Sequence, residues 1–249
     1  PEVIANGCDV LLFPSPFEAD FGHVLRALSD GRLTEARVEE AVTRVLGLKA
    51  ALGLHRKTLD ELLPPLEQAC AVVRQPAHLA VEQRVASASV TLVKDVRGLL
   101  PLSVERHRRI VVVTDPTRGG FAGQAPKELE VPALLAAQGF EVRAFDPTQP
   151  PTPADTDLVL YLLAQSHIYL DWAQVHGDWK ASMRRFWHEL PCALVSFGQP
   201  YYLYDAPRMP CVVNAYTAAS PVQHAVVRKL LGAEAFTGVS PVDAFCGLP

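Results

Sequence analysis

The sequence predicts an α/β protein in which a C-terminal αβα sandwich with a mainly parallel sheet follows the terminal β/α unit of a TIM-type barrel. From about residue 110 onward, short apolar runs alternate with segments of helical periodicity. That order gives a parallel sheet covered by helices on both faces. Before residue 54, one apolar run precedes two amphipathic helices. A whole barrel needs about 250 residues, so we expect the chain to be the C-terminal part of a larger protein.

Residues 1–54 are assigned to the barrel unit. The run Val10 to Phe13 shows no polar alternation, which predicts a strand buried on both faces, and Pro14-Ser15-Pro16 ends it. Apolar residues then recur at spacings of three and four over 17–28, which predicts an amphipathic helix. A second helix is expected from the N-cap Thr34 to Gly53.

Residues 55–88 are interpreted as a linker with crossing helices, and residues 89–249 as the sandwich domain. Strands are predicted at 89–93, 110–114, 141–145, 158–164, 193–197 and 212–215. Helices are predicted at 66–73, 78–86, 128–138, 179–190 and 222–231. Ligands in such sheets bind at the carboxyl ends of the strands, which selects the loops 115–123, 165–178 and 198–205.

Composition excludes several classes of function. The net charge is −4, and the densest basic cluster, 106–109, is short, so we expect no nucleic-acid partner. No apolar run approaches the ~20 residues of a membrane span. The five cysteines are scattered without a CxxC pair or zinc-ligand spacing, which predicts buried free thiols and neither a metal nor a cofactor. A cytoplasmic location is favoured, although a signal segment upstream of this sequence stays open.

Five segments in order resemble glycoside hydrolase family 3. GCDVLLFPS and SDGRLTEARVEEAVTRVLGLKAALGL are similar to the end of that family's catalytic barrel. ASASVTLVKDVRGLLPL resembles the entry to its C-terminal α/β domain. VSFGQPYYLYDAP and VNAYTAASPVQHAVVRKLLGAEAFTGVSPV resemble the last two strands, the final helix and the terminal turn.

Within that family, LLFP and GQPYYL favour the β-N-acetylhexosaminidase branch. The resemblance implies hydrolysis of a terminal β-linked N-acetylhexosamine with retention, through an Asp nucleophile. It places the nucleophile and a His/Asp pair on barrel loops before Gly7. No catalytic residue is therefore expected in this chain, which should be inactive alone and should meet its carbohydrate substrate together with an upstream barrel.

Five residues are candidates for substrate binding. Phe13 and Ser15 lie at the carboxyl end of the expected barrel strand, where the active sites of this fold lie. His167, Asp171 and Trp172 belong to the loop QSHIYLDWAQVHGDWK, whose aromatic and titratable side chains could stack on sugars and exchange protons. The plainer alternative is that Phe13 packs and that the loop is an ordinary helix entry. Tyr201 is expected to pack.

Two other functions remain open: a β-glucosidase-type enzyme of the same family, and a non-catalytic sugar-binding or interaction module. An unrelated doubly wound domain, for which Asp115 after a strand is the single hint, leaves 1–54 unexplained. The apolar barrel unit also predicts a homodimer or another association through its exposed surface.

Overall fold

The computed structural model describes residues 1–13, 16–114, 129–164, 186 and 188–247. The chain divides into two compact units, Pro1–Val73 and Arg74–Pro249.

The first unit is helical over its described residues. Its helices are α1 (Glu2–Ala5), α2 (Phe17–Ser29), α3 (Glu35–Ala51), α4 (Leu59–Leu62) and α5 (Leu66–Val72), with a 3₁₀ turn at Leu54–Arg56. The predicted N-cap is confirmed, since the Thr34 side chain accepts a hydrogen bond from the Arg37 amide at 3.2 Å. Gly53 follows α3 with φ of 66°, a left-handed conformation that ends helices.

The strand predicted at Val10–Phe13 is wrong. These residues have no regular secondary structure, and Leu12 and Phe13 are 77% and 74% exposed. A parallel strand is stabilised by backbone hydrogen bonds to neighbouring strands, and the described part of this unit contains none. An apolar run alone therefore does not form a strand here.

The second unit contains a six-stranded sheet. Its strands are β1 (Thr91–Asp95), β2 (Arg109–Thr114), β3 (Glu141–Ala144), β4 (Leu158–Leu163), β5 (Cys192–Ser196) and β6 (Cys211–Asn214). Its helices are α6 (Pro76–Ser89), α7 (Val104–His107), α8 (Val131–Ala137) and α9 (Ser220–Leu230), with a 3₁₀ helix at Pro200–Asp205. The predicted helix 179–190 lies mostly outside the described residues.

The predicted mainly parallel sheet is confirmed. The strand order is β1-β6-β5-β4-β2-β3, and every pairing is parallel except that of β1 with β6. All side chains of β4 and β5 are buried. Alternate residues of the central strands therefore point into two cores, one on each face of the sheet.

Helices α6, α8 and α9 cover one face, where residues such as Val195, Val213 and Leu135 form the larger core. The other core contains Tyr161, Leu194 and, from outside the sheet, side chains of the 3₁₀ helix and the C-terminal segment. An αβα sandwich needs apolar cover on both faces, and both covers are present.

A buried cation fixes the end of α9. The Lys229 side chain is fully buried, its Nζ lies 3.2 Å from Glu234 and donates to the Ala235 carbonyl at 2.5 Å. Glu234 also accepts hydrogen bonds from Ser87 and from Arg228. These interactions, the Ser87 bond first, lower the pKa of the Glu234 carboxyl from 4.5 to about 2.

We predict that Glu234→Gln lowers the free energy of unfolding at neutral pH, and that the difference from the parent chain shrinks as the pH falls. The folded-state pKa lies below the unfolded one, so the carboxylate stabilises the fold above about pH 4.5 and loses this effect toward about pH 2. Urea unfolding at a series of pH values measures the difference in the free energy of unfolding between the variant and the parent chain. Glu82→Gln, an exposed carboxylate on α6, is the matched control. An equal difference at pH 3 and pH 7 would contradict the account.

Candidate functional site

The carboxyl ends of β2, β4, β5 and β6 meet at one edge of the sheet, which we call the carboxyl edge. Strand β3 lies on one side of β2 and β4 on the other, so the direction in which successive strands are added to the sheet reverses between β2 and β4. Ligands of such sheets bind at this reversal. The loops that leave it, 115–128 and 165–185, lie outside the described residues, and so do the candidates His167, Asp171 and Trp172.

Two buried polar side chains end β5 and β6 at the carboxyl edge. Ser196 is paired with Asn214 in the parallel register, so both side chains point to the same face of the sheet. Both residues are fully buried. Neither the Ser196 hydroxyl nor the Asn214 side-chain amide has a hydrogen-bond partner among the described residues. An unpaired buried polar group destabilises a fold by about 1–3 kcal/mol, so these side chains mark a place that packing alone does not explain.

The next strand continues this polar row. Thr91 of β1 is opposite Asn214, and its hydroxyl donates to the Ser89 carbonyl at 2.9 Å. The Tyr216 hydroxyl donates to the Thr91 hydroxyl at 3.3 Å. Tyr216 follows β6 with φ of 63°, a left-handed conformation that is uncommon for a residue other than glycine. Such conformations cluster at functional sites.

The described loop after β5 forms the 3₁₀ helix rather than an irregular turn. Tyr202 and Leu203 are buried in the second core, with 5% and 0% exposure. Tyr201, which the sequence suggested would pack, is instead 47% exposed, and Tyr204 is 46% exposed. Tyr201 is exposed because a 3₁₀ helix has three residues per turn, so residues 201 and 204 share the face opposite to 202 and 203.

On the other face of the sheet, the carboxyl edge carries the first turns of α8 and α9. The buried Gln223 accepts hydrogen bonds from the backbone amides of Glu130 and Val131, at 2.7 and 3.3 Å. The Glu130 carboxylate accepts from Ser220 at 2.9 Å and lies 3.6 Å from the His224 imidazole. Sequence reasoning missed this cluster, because its members are more than ninety residues apart in the chain.

In the first unit, an arginine cluster holds the segment that lies four residues before the candidate Phe13. Arg37, only 12% exposed, donates to the carbonyls of Ile4 and Cys8 at 2.9 and 3.1 Å and to the Asp9 carboxylate at 2.7 Å. Arg44 donates to the same carboxylate at 3.1 Å. These bonds hold residues 4–9 against α3. Phe13 itself is exposed and has φ of 56°, whereas the candidate Ser15 lies outside the described residues.

A cavity of about 350 Å³ opens at the opposite, amino edge of the sheet. Its lining includes the buried thiols of Cys192 and Cys211 and the imidazole of His107. Burial raises the pKa of both thiols to about 12, so they stay protonated at neutral pH. Burial also lowers the pKa of His107. These thiols are not activated nucleophiles, and the amino edge is not the candidate site.

On the face of the sheet that carries Ser196 and Asn214, the described side chains of the carboxyl edge are suited to binding rather than to acid–base catalysis. Hydroxyl, amide and phenol groups dominate, and these groups donate and accept hydrogen bonds without ionising near neutral pH. Within the described ranges no group of histidines, cysteines and carboxylates could hold a metal ion. In the same part of the chain, no helix has the length and apolar character needed to cross a membrane. Two cysteines are buried as predicted, but Cys8, Cys70 and Cys246 are exposed.

No family model matches the sequence. Over 99% of its length the chain is 39% identical to a beta-N-acetylglucosaminidase/beta-glucosidase from Cellulomonas fimi, of which it covers 46%. A solved beta-glucoside phosphorylase is 34% identical over the whole chain, with a TM-score of 0.77, and the match covers 46% of that protein. The chain therefore spans about half the length of the relatives it matches.

A third comparison concerns the fold. A glycoside hydrolase family 3 beta-N-acetylglucosaminidase from Paenibacillus sp. str. FPU-7 matches 99% of the chain with a TM-score of 0.69 at 18% identity, and the match covers 47% of that protein. The chain is similar over its whole length to the C-terminal part of glycoside hydrolase family 3 proteins. The matched half is the C-terminal part, as the resemblance of the five segments predicted. The mixed α/β fold with its six-stranded, mostly parallel sheet matches the fold of these solved proteins.

We predict that Ser196→Ala raises the free energy of unfolding by about 1 kcal/mol or more, because it removes a buried hydroxyl that has no hydrogen-bond partner among the described residues. Gln223→Ala should be destabilising by about 2 kcal/mol or more, since it leaves two backbone amides unpaired. Urea unfolding of both variants measures the contrast. A loss for Ser196→Ala as large as that for Gln223→Ala would show that the hydroxyl is paired after all.

Proposed function

We propose that this chain is the C-terminal portion of a retaining glycoside hydrolase that removes terminal β-linked N-acetylhexosamine. The 39% identity to the Cellulomonas fimi beta-N-acetylglucosaminidase/beta-glucosidase over 99% of the chain carries this proposal. At that level of identity the two C-terminal halves share a fold. The apolar LLFP and the GQPYYL segment support the N-acetylhexosamine preference.

The proposed reaction requires two groups about 5 Å apart on either side of the anomeric carbon. One attacks the sugar and forms a glycosyl-enzyme, and the other first donates and then accepts a proton. The family resemblance assigns neither role to a residue of this sequence. The chain therefore supports and shapes the site, and by itself does not hydrolyse the substrate.

Phe13 and Ser15 in the first unit, and His167, Asp171 and Trp172 in the second, are the residues we propose to contact substrate. What supports Phe13 is its exposure together with its left-handed backbone conformation, four residues after a segment held by the Arg37 cluster. The other four rest on the sequence alone.

The first unit leaves many apolar side chains exposed, which supports an association through this surface. Of its described residues, only three hydrophobic side chains are buried: Ala27, Leu33 and Ala41. On α2, Phe17, Phe21 and Leu25 are all more than half exposed. We propose that a family 3 barrel covers this surface, or a second copy of the chain where the barrel is absent, because apolar patches of this size drive association.

A second activity, transfer of the glycosyl group from a β-glucoside to phosphate, is favoured by one observation. The solved protein at 34% identity is a beta-glucoside phosphorylase. In that reaction phosphate takes the place of water in the second step and leaves as a glycosyl phosphate, so the two activities differ in the acceptor.

Assays with aryl β-N-acetylglucosaminide and aryl β-glucoside, each with and without phosphate, test these proposals. We expect no turnover by the chain alone. The full-length protein of which it forms the C-terminal portion should hydrolyse the N-acetylglucosaminide and release the β-anomer first, as seen by proton NMR.

Turnover by the chain alone would contradict the assignment of the catalytic residues to another part of the protein. A preference for the glucoside would overturn the N-acetylhexosamine assignment, and release of a glycosyl phosphate would establish the second activity instead. Light scattering of the chain tests the association, and a monodisperse monomer would contradict it.

A further inference from the structure

We propose that Tyr201 and Tyr204 form a stacking surface for two neighbouring sugar rings of a β-linked N-acetylglucosamine oligosaccharide. The pair is called the tyrosine platform below. The choice of sugar rests on the proposed function, whereas the existence of a platform rests on the geometry of the 3₁₀ helix.

The two rings lie on the same side of one short helix. Residues at i and i+3 are eclipsed in a 3₁₀ helix, and a rise of about 2.0 Å per residue separates them by about 6 Å along its axis. This spacing is close to that of consecutive pyranose rings in a β-linked chain. Each tyrosine is almost half exposed. Neither phenol hydroxyl has a hydrogen-bond partner among the described residues, so both can bond to sugar hydroxyls.

The opposite face of the helix that carries the platform is anchored in a core. Tyr202 and Leu203 are buried on that face, in the core that also contains Ala206 and Met209. The Met209 amide donates to the Ala206 carbonyl at 3.1 Å, which closes the turn after the helix. Aromatic side chains on an anchored helix lose little conformational freedom when a ligand binds.

The position and the chemistry both suit a sugar. The platform follows β5 at the carboxyl edge, where ligands of parallel sheets bind. The apolar C–H face of a pyranose packs on an aromatic ring, while polar side chains beside it bond to the hydroxyls. Gln199 and Arg208, both exposed, flank the helix and provide such groups. A flat, apolar ligand could stack on the two rings but would form no hydrogen bonds with Gln199 and Arg208.

Isothermal titration of the full 249-residue chain with N-acetylglucosamine tetrasaccharide tests the platform. We expect binding that becomes about tenfold weaker or is lost in Tyr201→Ala/Tyr204→Ala. The matched variant Tyr201→Phe/Tyr204→Phe keeps the rings and should lose only a small part of the affinity. Val96→Ala, which removes an exposed apolar side chain elsewhere in the same unit, should bind like the parent chain.

Far-UV circular dichroism and thermal unfolding confirm that each variant is folded. Equal binding by the alanine variant and the parent chain, or no binding by the parent chain, would overturn the platform. In the full-length protein without sugar, both tyrosines should react with tetranitromethane, and sugar should protect them. If the two tyrosines do not react, another part of the protein covers them, and this result would also overturn the platform.

A parallel titration with cellotetraose separates this inference from the proposed function. Platform-dependent binding of cellotetraose but not of the N-acetylglucosamine tetrasaccharide would keep a glycan platform and contradict the N-acetylhexosamine preference. If the chain binds neither tetrasaccharide while the full-length protein still hydrolyses its substrate, the platform is contradicted and the proposed function is not.

Discussion

Burial of the central strands on both faces is the constraint on which the second unit depends. Every side chain of β4, β5 and β6 is buried, so each face of the sheet must be covered along its length. Burying a large apolar side chain stabilises the fold by about 1.5–3 kcal/mol. This requirement explains why α6, α8 and α9 cover one face and why the 3₁₀ helix places Leu203 on the other.

The same constraint determines where a site can form. Where the chain leaves the strands at the carboxyl edge, its side chains no longer have to be apolar to fill a core. The 3₁₀ helix passes from core to surface within four residues, since the buried Tyr202 and Leu203 lie between the exposed Tyr201 and Tyr204 in the sequence. Ser196 and Asn214 lie one step inside this boundary, where a polar side chain is costly. Their presence at the ends of otherwise apolar strands marks the edge as more than a packing surface.

A helix or strand could be predicted from the sequence where the residues that determine it are close together in the chain. Helix α3 was predictable because its N-cap and its terminal glycine flank it in the sequence, and β4 and β5 because their residues are continuously apolar. Val10–Phe13 has the same composition but no neighbouring strand in the described part of its unit. The pairing of Ser196 with Asn214 and the bonds from Gln223 to α8 depend on register across distant segments, which composition does not report. The exposure of Tyr201 depends on a 3₁₀ rather than an extended backbone.

The tyrosine platform requires that sugar bind this chain at the carboxyl edge of its sheet. Photo-crosslinking of the full chain with an N-acetylglucosamine oligosaccharide that carries a diazirine, followed by peptide mass mapping, tests it most directly. The account predicts labelling of the peptide that contains residues 198–208, suppressed by excess unlabelled oligosaccharide. Labelling confined to other peptides, or labelling that unlabelled sugar does not suppress, would contradict it.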